Sequence, residues 1–373
     1  MALLMKTLLR EKILEKVAPF VTLQGVGFDI SDLTVKCAKL NSSFQFEYFG
    51  ETAIPEGVIE GGEIKQEDKA IQVFRTWRDK EKKVRSPYAI VSLPEEKSFL
   101  RLIQLPKIKL DELGNAIKWE IEANVPLPME ELVYDYEIIP QTSLLQEPGD
   151  HLDVMITAFP KVLVESYARV LKQSGFQPVA MELESQAIVR SILPLLEGSG
   201  AKIIADIGRN RTSLIVYTGA AIMYTTTIPF GGRYIEEALS KGLGIAAEEA
   251  VILKKEIGLD RKAYDGKVFS SLLPPLTALS EELHKTAEYY QGHGGHAHEG
   301  TGVIAEIWLI GGDANLFGLT SFLSSSLQTP VRVADPLKVL LARTKDIVSP
   351  LARNQSPAFA TAIGLALRNF MNS

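Results

Sequence analysis

A single cysteine in 373 residues excludes an internal disulfide. Cys37 therefore reads as a small apolar residue of a strand, in a chain suited to a reducing compartment. Uninterrupted apolar runs fall short of the roughly 20 residues that cross a bilayer. Positive charge is not in excess. Forty Lys and Arg against 46 Asp and Glu leave a net charge of -6, which gives no reason to expect nucleic acid as a partner. The GxxxxGK[ST] phosphate loop, paired zinc-type cysteines and a GxSxG elbow are missing, so a P-loop ATPase or a serine hydrolase is unsupported. The N-terminal stretch is expected not to be a secretory leader, because Arg10, Glu11, Lys12, Glu15 and Lys16 interrupt it. It reads as an amphipathic helix over residues 1–20, with Leu4, Leu8, Leu9, Ile13 and Val17 on one face. Its balanced charges favour docking on the body or on another subunit over a membrane surface.

The apolar content of 46% supports real cores, and the length suits two to three domains. Period-two alternation predicts strands between Val21 and Tyr48, at Tyr88–Val91, Phe99–Leu105, Val133–Ile139, Leu152–Phe159 and Tyr224–Pro229. Helical spacing predicts helices over Asp68–Asp79, Leu110–Asn124 (with Asp111 as N-cap), Pro160–Ser174, Arg233–Lys241, Ala246–Glu256 and Leu276–Gln291. Strands alternating with helices in two related halves indicate an α/β architecture. The tract His293-Gly294-Gly295-His296-Ala297-His298 resembles a metal-binding run, but its glycines impose no geometry, so a flexible loop is expected.

One pattern occurs twice: an apolar strand that ends in an acidic turn and is followed by a second strand. The first copy is Val26-Gly27-Phe28-Asp29-Ile30-Ser31-Asp32-Leu33-Thr34-Val35, and the second is Ile204-Ala205-Asp206-Ile207-Gly208-Arg209-Asn210-Arg211-Thr212-Ser213. A strand with a glycine pair, Ile307-Trp308-Leu309-Ile310-Gly311-Gly312-Asp313, follows. Two such hairpins facing each other can hold a polyphosphate. Each offers backbone N–H groups to phosphate oxygens and a carboxylate to a hydrated metal ion. Singly, Asp29 and Asp206 are ordinary Asx-turns. Together, with the glycines in this order, they point to an actin-like two-domain nucleotide-binding protein. Asp29 and Asp206 are then the expected Mg²⁺ carboxylates. Asp29, Ser31, Asp206 and Gly208 are the expected phosphate residues, and Gly311, Gly312, Glu248 and Lys254 the expected nucleoside residues, with Thr212, Gly231 and Gly232 completing the ATP-binding set. Glu184 stands at a strand-to-helix junction, where it either orients a water for attack on the γ-phosphate or simply complements the helix dipole. Glu184 and Asp206 are the catalytic candidates.

The segment Trp119-Glu120-Ile121-Glu122-Ala123-Asn124-Val125-Pro126-Leu127-Pro128-Met129-Glu130-Glu131-Leu132-Val133-Tyr134-Asp135-Tyr136 resembles the signature of the actin-like type IV pilus assembly protein PilM family, kin of FtsA. Pro229-Phe230-Gly231-Gly232, the Glu248-Glu249-Ala250 run with Lys254-Lys255, and Ala362–Arg368 resemble further family stretches. The resemblance spans Val21 to Asn369. It implies an α/β, actin-like (ribonuclease H-like duplicated) two-lobed fold with a small subdomain inserted in the first lobe. The expected divisions are 1–20 for the helix, 21–199 for the first lobe with its insert at about 88–160, 200–355 for the second lobe with a helical insert at about 233–300, and 356–373 for a helix returning to the first lobe. It further implies a cytoplasmic, ATP- and Mg²⁺-binding adaptor, peripheral at the inner membrane through its partners. Those partners are the cytoplasmic tail of a PilN-like membrane protein, other proteins of the pilus assembly platform and, through self-association, a second copy. ATP turnover is expected to be slow or purely structural. Two residues depart from the family pattern. Asp32 replaces a Ser or Thr and would repel a γ-phosphate it faced, and Asp313 follows the glycine pair. Arg209 or Arg211 would offset that negative charge. The alternatives are a nucleotide-free actin-fold scaffold, an FtsA-like membrane-associated protein and an actin-fold small-molecule kinase.

Overall fold

The computed structural model describes residues 24–81, 86–139, 151–293, 303–342, 344 and 349–370. The helix expected over 1–20 and the stretch from Gly294 to His298 lie outside them. Strands β1 (Val26–Ile30), β2 (Thr34–Leu40) and β3 (Phe46–Ala53) form an antiparallel meander. A two-rung hairpin of β4 (Ile59–Glu60) and β5 (Glu63–Ile64) leads into helix α1 (Glu67–Lys80). Strand β6 (Tyr88–Leu93) returns parallel to β1. The chain then leaves the sheet for β7 (Phe99–Pro106), α2 (Leu110–Asn124), β8 (Leu132–Ile139) and β9 (His151–Pro160). It comes back through α3 (Lys161–Gln173), β10 (Gln177–Leu183) and α4 (Glu184–Ile192). The first sheet is ordered β3-β2-β1-β6-β10.

The second half repeats this plan. Strands β11 (Ala201–Ile207), β12 (Thr212–Tyr217) and β13 (Ile222–Ile228) form the meander. Helices α5 (Gly232–Leu243), α6 (Ala247–Glu256) and α7 (Lys267–His293) precede β14 (Ile304–Ile310), α8 (Leu319–Leu327) and β15 (Val331–Val333). The order β13-β12-β11-β14-β15 matches the first sheet strand for strand. Helices α9 (Pro336–Ala342) and α10 (Ala360–Leu367) close the described chain.

Alternation along each strand sorts side chains into separate cores. Val26, Phe28 and Ile30 face α1 and α3, which contribute Phe74, Trp77, Tyr167 and Val170. On the second sheet, Ile203, Ala205, Leu214 and Val216 face α5 and α7, while Ile204, Ile215, Trp308 and Ile310 point the opposite way. That opposite face is covered by Ile188, Val189 and Ile192 of α4 and by Met155, Leu100 and Leu102 of the inserted β7-β9-β8 sheet. The other face of the insert holds α2 through Leu113, Ile117 and Ile121. The insert therefore belongs to the first lobe in sequence but packs on both.

Two expectations change. Helix α2 begins at Leu110 with extended Lys109 in the cap position, so Asp111 lies inside the first turn rather than at the cap. Helix α7 starts at Lys267, not Leu276, and carries Pro274 and Pro275 within it. Buried Val268, Leu272, Leu276, Leu279 and Leu283 hold one face across the proline pair, and this packing outweighs the hydrogen bonds that the prolines remove.

Helix α10 crosses back to the first sheet and packs on α4 at Gly364, where a Cβ would lie 1.8 Å from the Ala187 carbonyl oxygen. Buried Glu182 on β10 ties this corner together through Arg190 of α4 and Arg368 beyond α10. Gly364→Ala is expected to lower stability by about 1–3 kcal/mol in urea unfolding, since backbone faces backbone there. Gly114→Ala in α2, where a Cβ meets nothing within 4 Å, should instead stabilise by about 0.5–1 kcal/mol.

Candidate functional site

The β1–β2 and β11–β12 turns are built alike. Each closes with a backbone hydrogen bond, Ser31 N–H to Thr34 C=O at 2.9 Å and Gly208 N–H to Arg211 C=O at 3.0 Å. Asp29 and Asp206 sit one residue before the last of their strands, at the same place in each lobe. A cleft of about 410 Å³ opens between the lobes beside these turns, lined by Leu33 and Glu56 from the first and by Arg209, Arg233, Glu236 and Ser240 from the second, with Asp29 and Asp206 outside its lining. The Ser31 hydroxyl is turned inward on Thr34, and the Thr212 hydroxyl donates to the Phe230 carbonyl at 2.8 Å. Backbone groups are therefore what these two turns present to a ligand.

The glycines divide into two kinds. Gly231 and Gly232 serve internal packing: a Cβ on Gly231 would lie 2.5 Å from the Arg209 carbonyl oxygen, and one on Gly232 would lie 2.0 Å from an Asp313 carboxylate oxygen. Gly311 has φ +94° and lies against Asp206, so a side chain is barred by both conformation and contact. Gly312 faces open space and leaves its backbone accessible.

The charged residues near the glycines are already paired. Lys254, buried, donates to Glu236 at 2.6 Å and to Asp313 at 2.5 Å. Arg209 grips the same Glu236 with two hydrogen bonds of 2.8 and 3.0 Å. Although burial alone would raise the Glu236 carboxyl, Arg209 and Lys254 hold it below the ordinary range. Glu248 is exposed on the first turn of α6. Arg211 reaches across the cleft to Asp32 and Glu96, and Asp32 also accepts the Gly61 and Gly62 N–H groups. Asp32 is thus held by a cation and two backbone donors and does not stand as a bare charge toward the cleft. These partners are invisible to local sequence pattern. Asp32 and Arg211 are 179 positions apart, and only the odd placement of an acid in the first turn marks the site.

Five carboxylates share this seam. Burial pushes Glu184 well above the usual range, with the Asp29 charge adding to it. Asp29 is raised by burial and eased by Lys36, and Glu95 is raised by burial. Asp206 is pushed up to about 7 by burial and then by Asp29. Glu96 is raised by burial against the pull of Arg211. Among the described residues no group of three or more acids or His forms a metal cage. The Asp29 charge raises the Asp206 carboxyl across the seam, and two acids contributed by the two lobes are a donor pair that suits a hydrated divalent cation.

A family model described as type IV pilus assembly protein PilM matches residues 27–370. The chain is 25% identical over 280 residues to the cell division protein FtsA of Neisseria meningitidis serogroup B, covering 68% of this chain and 65% of that protein. It therefore spans just under two thirds of that relative's length. Among solved structures, a PilM–PilN type IV pilus biogenesis complex superposes with a TM-score of 0.78 at 23% identity, covering 94% of this chain and all of that one. MreB 5 of Spiroplasma citri bound to AMPPNP superposes with a TM-score of 0.54 at 12% identity, covering 91% and 93%. The fold is the actin-like one.

The raised Asp206 carboxyl has a consequence for stability. Its folded value of about 7 exceeds the ordinary 3.8, so between these values the folded state holds the extra proton and stability falls as pH rises. Asp206→Asn is expected to stabilise the ligand-free protein by about 1–2 kcal/mol at pH 8, allowing for water in the cleft. The gain should shrink toward zero near pH 4. Urea unfolding of both proteins across that range measures it.

Proposed function

Because the chain belongs to the type IV pilus assembly protein PilM family, we propose that it is a nucleotide-binding adaptor that grips the tail of a PilN-like membrane protein. The observation that carries this reading is the pair of matching hairpins, whose Asp29 on one lobe acts on the charge of Asp206 on the other, with Gly311 against Asp206 and Gly312 open next to it. The Ser31 and Gly208 turns would hold the phosphates of ATP through backbone N–H groups, and Asp29 and Asp206 would hold hydrated Mg²⁺. When bound, that ion supplies positive charge that neutralises the phosphates. Gly311 and Gly312 would pass close to the nucleoside. Lys254 would act there indirectly, by fixing Asp313 and Glu236.

Glu184 bears on turnover. Its burial, with the Asp29 charge adding, raises the carboxyl well above the ordinary carboxylate range, the direction in which a general-base carboxyl is tuned toward working pH. In this reading Glu184 would orient the attacking water, and ATP turnover is slow or purely structural.

The partner site follows from the insert. Strand β8 ends the β7-β9-β8 sheet, and its Val133, Tyr136 and Ile138 are exposed. Val162, on the first turn of α3, is 76% exposed. A terminal strand beside apolar side chains suits an extended peptide. Among the described residues no helix is long and apolar enough to cross a membrane. As an adaptor of the PilM family, the protein is read as cytoplasmic and held at the inner membrane by its partner.

Thermal unfolding with and without ATP–Mg²⁺ tests the nucleotide half. At 100 times its Kd a ligand stabilises by about 2.7 kcal/mol, so wild type should shift upward and Asp206→Asn should not. Equal midpoints in wild type would leave a nucleotide-free scaffold. For the partner half, Val133→Asp with Val162→Asp should weaken a PilN-type tail peptide at least about tenfold, or roughly 1.4 kcal/mol, in titration calorimetry. Undiminished peptide affinity would place the partner elsewhere.

A further inference from the structure

Arg211 is rooted in the second lobe but satisfied by the first. Its Nη2 lies 3.4 Å from Asp32 Oδ1, its Nη1 lies 3.5 Å from Asp32 Oδ2, and Nη1 also pairs with Glu96. All three side chains are less than 20% exposed. Glu96 is the middle residue of the single turn Glu95–Lys97, which joins β6 to β7 and so forms the root of the insert.

That turn touches every part of the seam. Glu95 accepts the Ser185 N–H at 3.1 Å and the Ser185 hydroxyl at 3.0 Å, beside Glu184 at the start of α4. Strand β13 of the second lobe packs against this turn, with Thr225 beside Glu95. Lys97 pairs with Glu63 in the β4–β5 hairpin, whose turn holds Asp32. Two residues further on, β7 begins, and its Leu100 and Leu102 pack on the core shared with the second sheet.

The two acids held by Arg211 differ in what remains without it. Asp32 keeps two backbone N–H donors. Among the described residues the Glu96 carboxylate has no hydrogen bond to another segment besides its pairing with Arg211. Removing one partner of a buried ion pair leaves a charge that must move or take up a proton. A polyphosphate offers a guanidinium more negative charge and more acceptor oxygens than one carboxylate does.

We propose that Arg211 is a latch between cleft and insert: with no anion in the cleft it clamps Glu96 and Asp32, and a polyphosphate between the hairpins draws it off Glu96 and frees the turn at the root of the insert. This rests on reading the cleft as a polyphosphate site. The Glu95–Lys97 turn is the element with two states, and the β7 strand carries its movement into the sheet whose far edge is β8.

Hydrogen exchange of residues 95–105 in the full chain, with ATP–Mg²⁺ as probe and thermal unfolding as an independent record of binding, tests it. In wild type, ATP–Mg²⁺ should speed exchange of this segment at least about threefold. Glu96→Gln should exchange fast without ATP, change little on adding it, and still show the thermal shift. Binding by wild type without any change at 95–105 overturns the latch and leaves the nucleotide reading intact, as does a Glu96→Gln variant that responds like wild type. Binding by Glu96→Gln but not by wild type overturns the latch, because polyphosphate then fails to draw Arg211 off Glu96, and leaves the cleft reading intact. Binding by neither overturns latch and cleft reading together. The wild-type arm decides even if the variant does not fold.

Discussion

Like charges facing each other across a seam are the constraint on which this molecule depends. Duplication of one β-meander places an acidic turn at the same point of each lobe, and joining the lobes brings Asp29 and Asp206 together. Glu184, Glu95 and Glu96 crowd the same place. Two unit charges about 4 Å apart repel by roughly 4 kcal/mol at an effective dielectric of 20, so the ligand-free fold must offset this locally. It does so with Lys36 beside Asp29, with the upward shift of the Glu184 and Asp206 carboxyls, and with Arg211 laid across the gap. Burial works against the Arg211 charge, yet Glu96, Glu184 and Asp32 together hold it firmly protonated.

The rest of the architecture makes that seam mechanical. Helix α4 begins at Glu184, packs on α10 through the Gly364 contact, and covers the second sheet with Ile188 and Ile192. The inserted sheet shares this core, so neither lobe can rotate without repacking α4 or β7. Close-packed cores are stable in discrete arrangements, not along a continuum. A change of charge at the hairpins is thereby positioned to move the insert as a unit.

How much of this was legible depends on the range of the interaction. Strand and helix periodicity is local, and the meanders, α2, α3 and the β8–β9 pair lie where alternation and spacing put them. The doubled acidic pattern was legible because it is a repeat of sequence. The start of α7 was not, since a proline pair reads as a break unless the buried face that spans it is known. Nor were the partners of Asp32, Lys254 and Arg211. Asp32 reads as a threat to phosphate in isolation, and its neutralisation by Gly61, Gly62 and Arg211 exists only once the lobes are joined. Of Arg209 and Arg211, either of which was expected to offset the Asp32 charge, Arg211 does so while also pairing with Glu96, and Arg209 serves Glu236.

Strain of this kind decides what the cleft is good for. Relief of repulsion between Asp29 and Asp206 is available as soon as a cation and its polyphosphate arrive, before any bond changes. Interaction energy realised equally in the bound ground state and in the transition state raises affinity and leaves the chemical barrier where it was. A dedicated hydrolase would need the reverse, an ionised base whose contacts improve only as the bond breaks. The carboxyl expected in that role, Glu184, is raised well above the ordinary range by its burial and then by Asp29. Affinity gained by relieving repulsion between the two aspartates suits a protein whose output is a shape presented to a partner rather than a product released.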